Sequence, residues 1–160
     1  ERLSEVEDID AAISMQQRAV DLTSNGNRSL ELPRCLTNLG ASLLRRFERL
    51  GDVKNLDAAI ATQQRGAYLI PDGHTSLVQC LMNVSISFAY RFERLGEAKV
   101  KDLDAALTTQ WRAVDLTPEG HAELPTRLMN LGISLNTRFE RLGEVGDTDA
   151  AVKEQERAVE

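Results

Sequence analysis

Apolar residues recur at steps of three and four in three separate stretches of the chain. In the first, Leu36, Leu39, Leu43, Phe47 and Leu50 fall on one face of a helix, with mostly polar or small residues in the intervals. The spacing predicts a helix over 32–50, and the same pattern predicts two more over 77–95 and 124–142. Each is about 28 Å long at the usual helical rise, and each is closed by a glycine, Gly51, Gly96 or Gly143. A second kind of helix is predicted to begin near Asp57, Asp104 and Asp149, where a carboxylate suits a helix N-terminus. Pro71 and Pro118 stop these helices, and Asp72-Gly73 and Glu119-Gly120 supply the turns. No alternating β-type run stands out, so the expected fold class is all-α.

The pattern repeats in sequence as well as in hydropathy. Phe-Glu-Arg-Leu-Gly occurs at 47–51, 92–96 and 139–143, and Asp-Ala-Ala at 10–12, 57–59, 104–106 and 149–151. Asn-Leu-Gly occurs at 38–40 and 130–132, with Asn83-Val84-Ser85 between. Each series steps by 45 or 47 residues, the difference being a two-residue loop insertion. Helix pairs of this size cannot bury their apolar faces alone, whereas stacking them side by side can, so the expectation is an α-solenoid of antiparallel helix pairs. The units fall at 32–76 and 77–123, with partial units at 1–31 and 124–160. Glu1-Arg2-Leu3 reads as the last turn of a first helix, and Ala158-Val159-Glu160 stops inside a second, so the chain is read as part of a longer array without a polar cap.

Leu131-Gly132 followed by Ala151 and Ala158, and Leu39-Gly40 followed by Ala59 and Pro71, resemble the tetratricopeptide signature. The family's period is about 34 residues; the excess here lies in longer helices and loops around the signature. The aromatic expected four residues past the alanine is Gln16, Gln63, Gln110 or Gln155 instead. HEAT-type repeats share the longer period but do not imply the Leu-Gly, Ala, Pro spacing. The Asn-Leu-Gly opening and Arg-Ala-Val close are similar to the long repeats of kinesin light chains, and closer to arrays in large fungal proteins carrying CHAT or NACHT domains. The resemblance implies a right-handed superhelix whose first helices line a concave groove. It also implies that Asn38, Asn83 and Asn130 hold the backbone of a bound peptide, an amide being both donor and acceptor. An asparagine ladder bracing neighbouring helices is the structural alternative.

Comparing the units separates two stripes on the first helices. Leu39/Val84/Leu131, Leu43/Phe88/Leu135 and Phe47/Phe92/Phe139 keep their character and are expected to carry the stack. Arg34/Gln79/Thr126, Thr37/Met82/Met129, Ala41/Ile86/Ile133 and Arg45/Tyr90/Thr137 differ, as a selective groove would. Arg34, Met82, Tyr90, Met129 and Asn136 are therefore the expected selectors of partner side chains. Trp111, where the other units have Gln17, Gln64 and Glu156, either covers its neighbours or anchors a partner on the convex side.

Charge narrows the partner. The net charge is −6, which argues against a general affinity for nucleic acid. The three first helices nevertheless carry an excess of Arg over Glu, which favours an acidic peptide if those helices line the groove. No run of about 18 apolar residues is present, so no membrane span is expected. The N-terminus has neither the basic start nor the apolar core of a signal peptide. With two cysteines too far apart for a CxxC motif, a cytoplasmic setting is expected.

No catalytic chemistry can be placed. His74 and His121 occupy equivalent turns and read as turn residues, since no partner recurs at metal-ligand spacing. Cys35 and Cys80 are equivalent to Arg127, so all are expected to be partly exposed. The recurrent Glu48, Glu93 and Glu140 give no asymmetric carboxylate pair. The expectation is a non-catalytic interaction scaffold with no cofactor or metal. The alternative is a regulatory or self-associating arm of a larger CHAT-protease or NACHT-switch protein, stacking through uncapped ends.

Overall fold

The computed structural model describes residues 2–24, 31–96, 100–143, 149–153 and 156. Six helices lie within them: α1 (Arg2–Ser24), α2 (Glu31–Leu50), α3 (Val53–Leu69), α4 (Thr75–Leu95), α5 (Val100–Asp115) and α6 (Leu124–Leu142). Residues 149–153 are helical again, and no strand occurs among the described residues. Every helix packs on its successor, and α2 also touches α4. Gln155 and Ala158 lie outside the described residues.

α2, α4 and α6 bury the stripe that recurs between units. Leu39, Val84, Leu131, Phe88, Leu135, Phe47 and Phe92 are all buried. Leu43 is half-buried and Phe139 exposed, so the stripe loosens at both ends of the series. α2 stops where Gly51 enters a positive φ of 70° and its N–H donates to the Phe47 carbonyl at 2.7 Å. A side chain resists that conformation, so glycine converts a continuing helix into a two-residue corner that folds α3 back on α2.

Ser4 stands where that glycine is expected in the first copy, and there the structure departs from the sequence reading. α1 continues unbroken from Arg2 to Ser24, so Arg2 and Leu3 are not the end of a separate helix. Without a glycine to favour positive φ, the chain keeps its helical hydrogen bonds. The second helices also begin earlier than expected, at Val53 and Val100. Asp52 supplies the α3 cap, its carboxylate accepting the Lys54 N–H at 3.0 Å.

Asp57 and Asp104, one turn inside their helices, instead serve arginines from the following unit. Arg46 Nε donates to Asp10 at 2.7 Å, Arg91 Nη1 to Asp57 at 2.7 Å, and Arg138 Nη1 to Asp104 at 2.9 Å. The first two also grip the second helix of their own unit. Arg46 Nη1 donates to Asn55 Oδ1 at 2.9 Å, and Arg91 makes a two-pronged pair with Asp102 at 2.6 and 2.7 Å. The Asp102 side chain is 7% exposed, against about half for Asp57 and Asp104. These carboxylates push the Arg91 guanidinium further above its already high value, the Asp102 bonds most, against an opposing effect of burial. At two of these junctions one arginine thus pins three helices, α1–α2–α3 and then α3–α4–α5.

The Leu-Gly pair also finds its reason in packing. A Cβ on Gly40 would lie 2.4 Å from Gln63 Cγ. Glycine therefore makes room for Gln63, which is wholly buried and whose Oε1 accepts from Ser87 Oγ of the next unit at 2.8 Å. That bond partly answers how a glutamine is accommodated in the core, although Gln63 Nε2 has no hydrogen-bond partner among the described residues. The cysteine position is a correction. Cys80 and Arg127 are buried, and only Cys35 is half-buried. Arginine is tolerated because Arg127 Nη1 donates to buried Thr117 Oγ1 at 2.6 Å and Nη2 to Glu123, which satisfies the charge without exposing it.

Candidate functional site

With the recurrent stripe buried, the variable stripe of α2, α4 and α6 is left on the surface. Its apolar members are notably open: Ile86 is 43%, Met129 52% and Ile133 54% exposed. These three share one side of the α4 and α6 helices, and clustered exposed apolar side chains of this kind mark interaction surfaces more often than scattered ones.

Three clefts indent this face. One of about 470 Å³ lies between the N-terminal halves of α2 and α4 and is lined by Arg34, Thr37, Asn38, Ile70 and Gln79 among others. A second, of about 430 Å³, lies between α4 and α6 and is lined by Met82, Ile86, Tyr90, Asn130, Ile133 and Ser134, with Glu93, Ala89 and Gln110. The third, of about 460 Å³, is formed by Phe47, Glu48, Gly51, Tyr90, Glu93 and Arg94. Tyr90 and Glu93 line both of the last two, and Tyr90 is tilted against Phe47 with ring centroids 6.2 Å apart. The Glu48 carboxylate, followed by burial and then Glu93, holds the Tyr90 phenol above its ordinary value.

The structure therefore brings together Arg34 with Asn38 in one cleft, and Met82 and Tyr90 with Asn130 in another. Asn83 lines neither; its Oδ1 accepts from Gln79, one turn back in α4, at 3.2 Å. Met129 is exposed beside the second cleft without lining it, and Asn136 is half-buried and lines none of the three. Among the described residues no hydrogen bond joins one of the three asparagines to the next, so the bracing ladder is not formed. Trp111 is half-buried against the cluster of Leu103, Leu107, Leu131 and Leu135, and so covers its neighbours.

Sequence reasoning missed Glu93, Gln110 and Ser134 as lining residues. Glu93 recurs with Glu48 and Glu140 and reads as ordinary surface charge. Gln110 carried a signal, since a glutamine recurs there as Gln16, Gln63 and Gln155 among otherwise apolar core registers. The arginine excess of these helices is also largely consumed: Arg46, Arg49, Arg91, Arg127 and Arg138 all form ion pairs. Exposed Arg34, Arg45, Arg94 and Arg141 form none among the described residues, so the basic groove expected from composition is reduced rather than lost.

The histidines act as turn caps. His74 Nδ1 accepts from the Ser76 N–H and His121 Nδ1 from the Glu123 N–H, each at 3.2 Å. Both line one small cleft with Arg127, but among the described residues no three His, Cys, Asp or Glu side chains gather as a metal site would need. No described helix is long and apolar enough to cross a membrane. In comparison with known proteins, no family model matches the chain and no curated protein matches its sequence.

Proposed function

We propose that the chain is an α-solenoid segment of tetratricopeptide-like units and acts as a non-catalytic scaffold. A peptide or protein partner lies along the face of α2, α4 and α6. The observation that carries this reading is the split between the two stripes. Most positions that recur between units are buried, while positions that vary are exposed or half-buried and indented by adjoining clefts, two of which share Tyr90. A surface retained only for solubility has no reason to expose Ile86, Met129 and Ile133 side by side. In this reading Asn38 and Asn130 bond the partner backbone, Asn83 joins them once released from Gln79, and Arg34, Met82 and Tyr90 select side chains.

The test is selection of peptides from a displayed library against the whole chain, followed by affinity measurement on two variants. The Asn38→Ala/Asn83→Ala/Asn130→Ala triple variant and Ile133→Asp are each expected to weaken the selected peptides at least tenfold with helicity unchanged. Equal affinity for parent and both variants would put binding on another surface and refute the proposal. Exposed Met15 and Leu22 on α1 favour a second reading, self-association. Under it, the sedimentation coefficient rises with concentration and Met15→Glu/Leu22→Glu abolishes the rise; a constant coefficient rules it out.

A further inference from the structure

Equivalent glutamines in successive units are treated differently. Gln63 Oε1 receives the Ser87 hydroxyl from the next unit. Gln110 and Ser134 hold the same two registers one unit later, yet no hydrogen bond joins them. Gln110 is only 6% exposed, and its Oε1 is enclosed without a partner. The amide atom left open is Nε2, which has no hydrogen-bond partner among the described residues and adjoins the cleft between α4 and α6. A nearly buried donor left bare toward a cleft favours an occupant that brings an acceptor. Water can serve that donor, but water covers none of the apolar walls of the same cleft, Met82, Ile86 and Ile133.

The rim asks for the opposite group. Exposed Glu93 is the single charged residue among those lining the cleft, and it forms no ion pair among the described residues. A carboxylate only accepts hydrogen bonds, so it favours a donor. Glu48, more than burial or Glu93, already holds the Tyr90 phenol above its ordinary value, and this negative field repels an anion. The cleft thus combines a donor at its floor, an acceptor at its rim and apolar walls.

From this juxtaposition we infer that the α4–α6 cleft takes a glutamine side chain of the bound peptide. Its carboxamide oxygen accepts from Gln110 Nε2, its NH2 donates to Glu93, and its methylenes lie along Met82, Ile86 and Ile133. The inference rests on the scaffold reading above and specifies its partner: neutral and polar at this cleft, rather than acidic throughout. A primary carboxamide carries an acceptor and donors on one planar group, so it can serve floor and rim together. Glutamate has the same shape but no donor, and its charge meets that of Glu93. Arginine and lysine carry no acceptor and leave Gln110 Nε2 unserved. Methionine fills the apolar walls and answers neither polar group. A peptide backbone offers both functions too, but Gln110 is recessed. A side chain reaches that floor while the main chain stays at half-buried Asn130.

The probes are three synthetic tripeptides, acetyl-Leu-Gln-Leu-N-methylamide and its glutamate and methionine counterparts, titrated into the whole chain. The N-methyl cap keeps a second primary carboxamide out of the comparison. The readouts are the NMR side-chain NH2 signals of Gln110 and the fitted affinities. The glutamine peptide is expected to shift those signals and to bind about fivefold more tightly than either counterpart, the effect of one net hydrogen bond. Gln110→Met, similar in volume and free of the unpaired oxygen, is expected to keep the helicity and erase the preference for glutamine over methionine. Glu93→Gln, on an exposed side chain, is expected to erase the preference for glutamine over glutamate. Equal binding of the glutamine and methionine peptides, tighter binding of the glutamate peptide, or glutamine shifts that leave Gln110 unmoved would overturn the inference. So would the absence of any shift up to the solubility limit of all three peptides, or a glutamine preference that survives Gln110→Met. Failure of the scaffold reading itself shows separately, as library peptides indifferent to the asparagine and Ile133 variants.

Discussion

Arg91 offers the sharpest test of how the helices are held together. Replacing it with methionine keeps most of the aliphatic stem, which lies beside the Phe88 ring with the guanidinium carbon 5.6 Å from its centroid, and removes the charge. Two carboxylates lose their partner, but not equally. Asp57 is about half exposed and is rescued by water, whereas Asp102 is 7% exposed and loses both prongs of its pair. Breaking a buried pair by removing one partner costs about 3–5 kcal/mol, and an exposed pair about 0–1 kcal/mol. Since the Arg91 side chain is itself 17% exposed, the lower end applies, and Arg91→Met is expected to lose about 3 kcal/mol. Arg112→Met removes an arginine whose pair with Asp72 is exposed on both sides, and is expected to lose under about 1 kcal/mol. The assay is urea unfolding followed by helical circular dichroism, with the slope checked because stacked units can unfold in stages. In the double variant Arg91→Met/Asp102→Leu most of the loss should return, because no buried charge is left unpaired. Equal losses for Arg91→Met and Arg112→Met, or a double variant as weak as the single, would refute the argument.

Other consequences follow from the buried polar groups and the close approach at Gly40. Gly40→Ala forces a methyl to within 2.4 Å of Gln63 Cγ and should lower stability by about 1–2 kcal/mol, visible as a reduced thermal midpoint. Gly66→Ala meets nothing closer than 3.3 Å and should be near neutral. Ser87→Ala strips Gln63 Oε1 of its donor and should cost about 1–2 kcal/mol in the same urea assay, whereas Ser134→Ala, which breaks no such bond, should change little. Burial raises the Cys80 thiol above its ordinary 9.0. Iodoacetamide at pH 8 should therefore modify Cys35 well before Cys80, as mass spectrometry would show. The unfolded chain releases the Cys80 proton first, so this contribution to stability is complete below pH 9 and declines above it. A Cys80→Ala variant should lose that alkaline decline.

Much of the architecture can be read from residue order because period and punctuation agree. Leu36, Leu39 and Phe47 announce the buried face of α2, and Gly51 its end; the same signals place α4 and α6 within two residues. What could not be read depends on partners distant in sequence. Asp57 and Asp104 suit a helix start equally well as acidic residues, and only packing shows that Arg91 and Arg138 claim them. Arg127 in a buried position looks improbable until Thr117 and Glu123 are seen beside it. The clefts were half legible: the variable stripe located Met82 and Tyr90. The floor of the second cleft depends on Gln110 in another helix, and on a hydrogen bond made by one serine and not by its counterpart.

The arginine at each junction has a further consequence for how such a chain can change length. Arg91 reaches back to Asp57, and Arg138 reaches back to Asp104 in the same way. If the unit from 77 to 123 were excised, Arg138 would arrive opposite Asp57, and the junction would close with the chemistry it already uses. Duplicating a unit would likewise create a junction whose lock and key are present on both sides. Unequal recombination between these segments therefore yields folded products of different reach. The exposed stripe travels with each segment, so rearranging the order of units would compose new recognition surfaces without redesigning the joints.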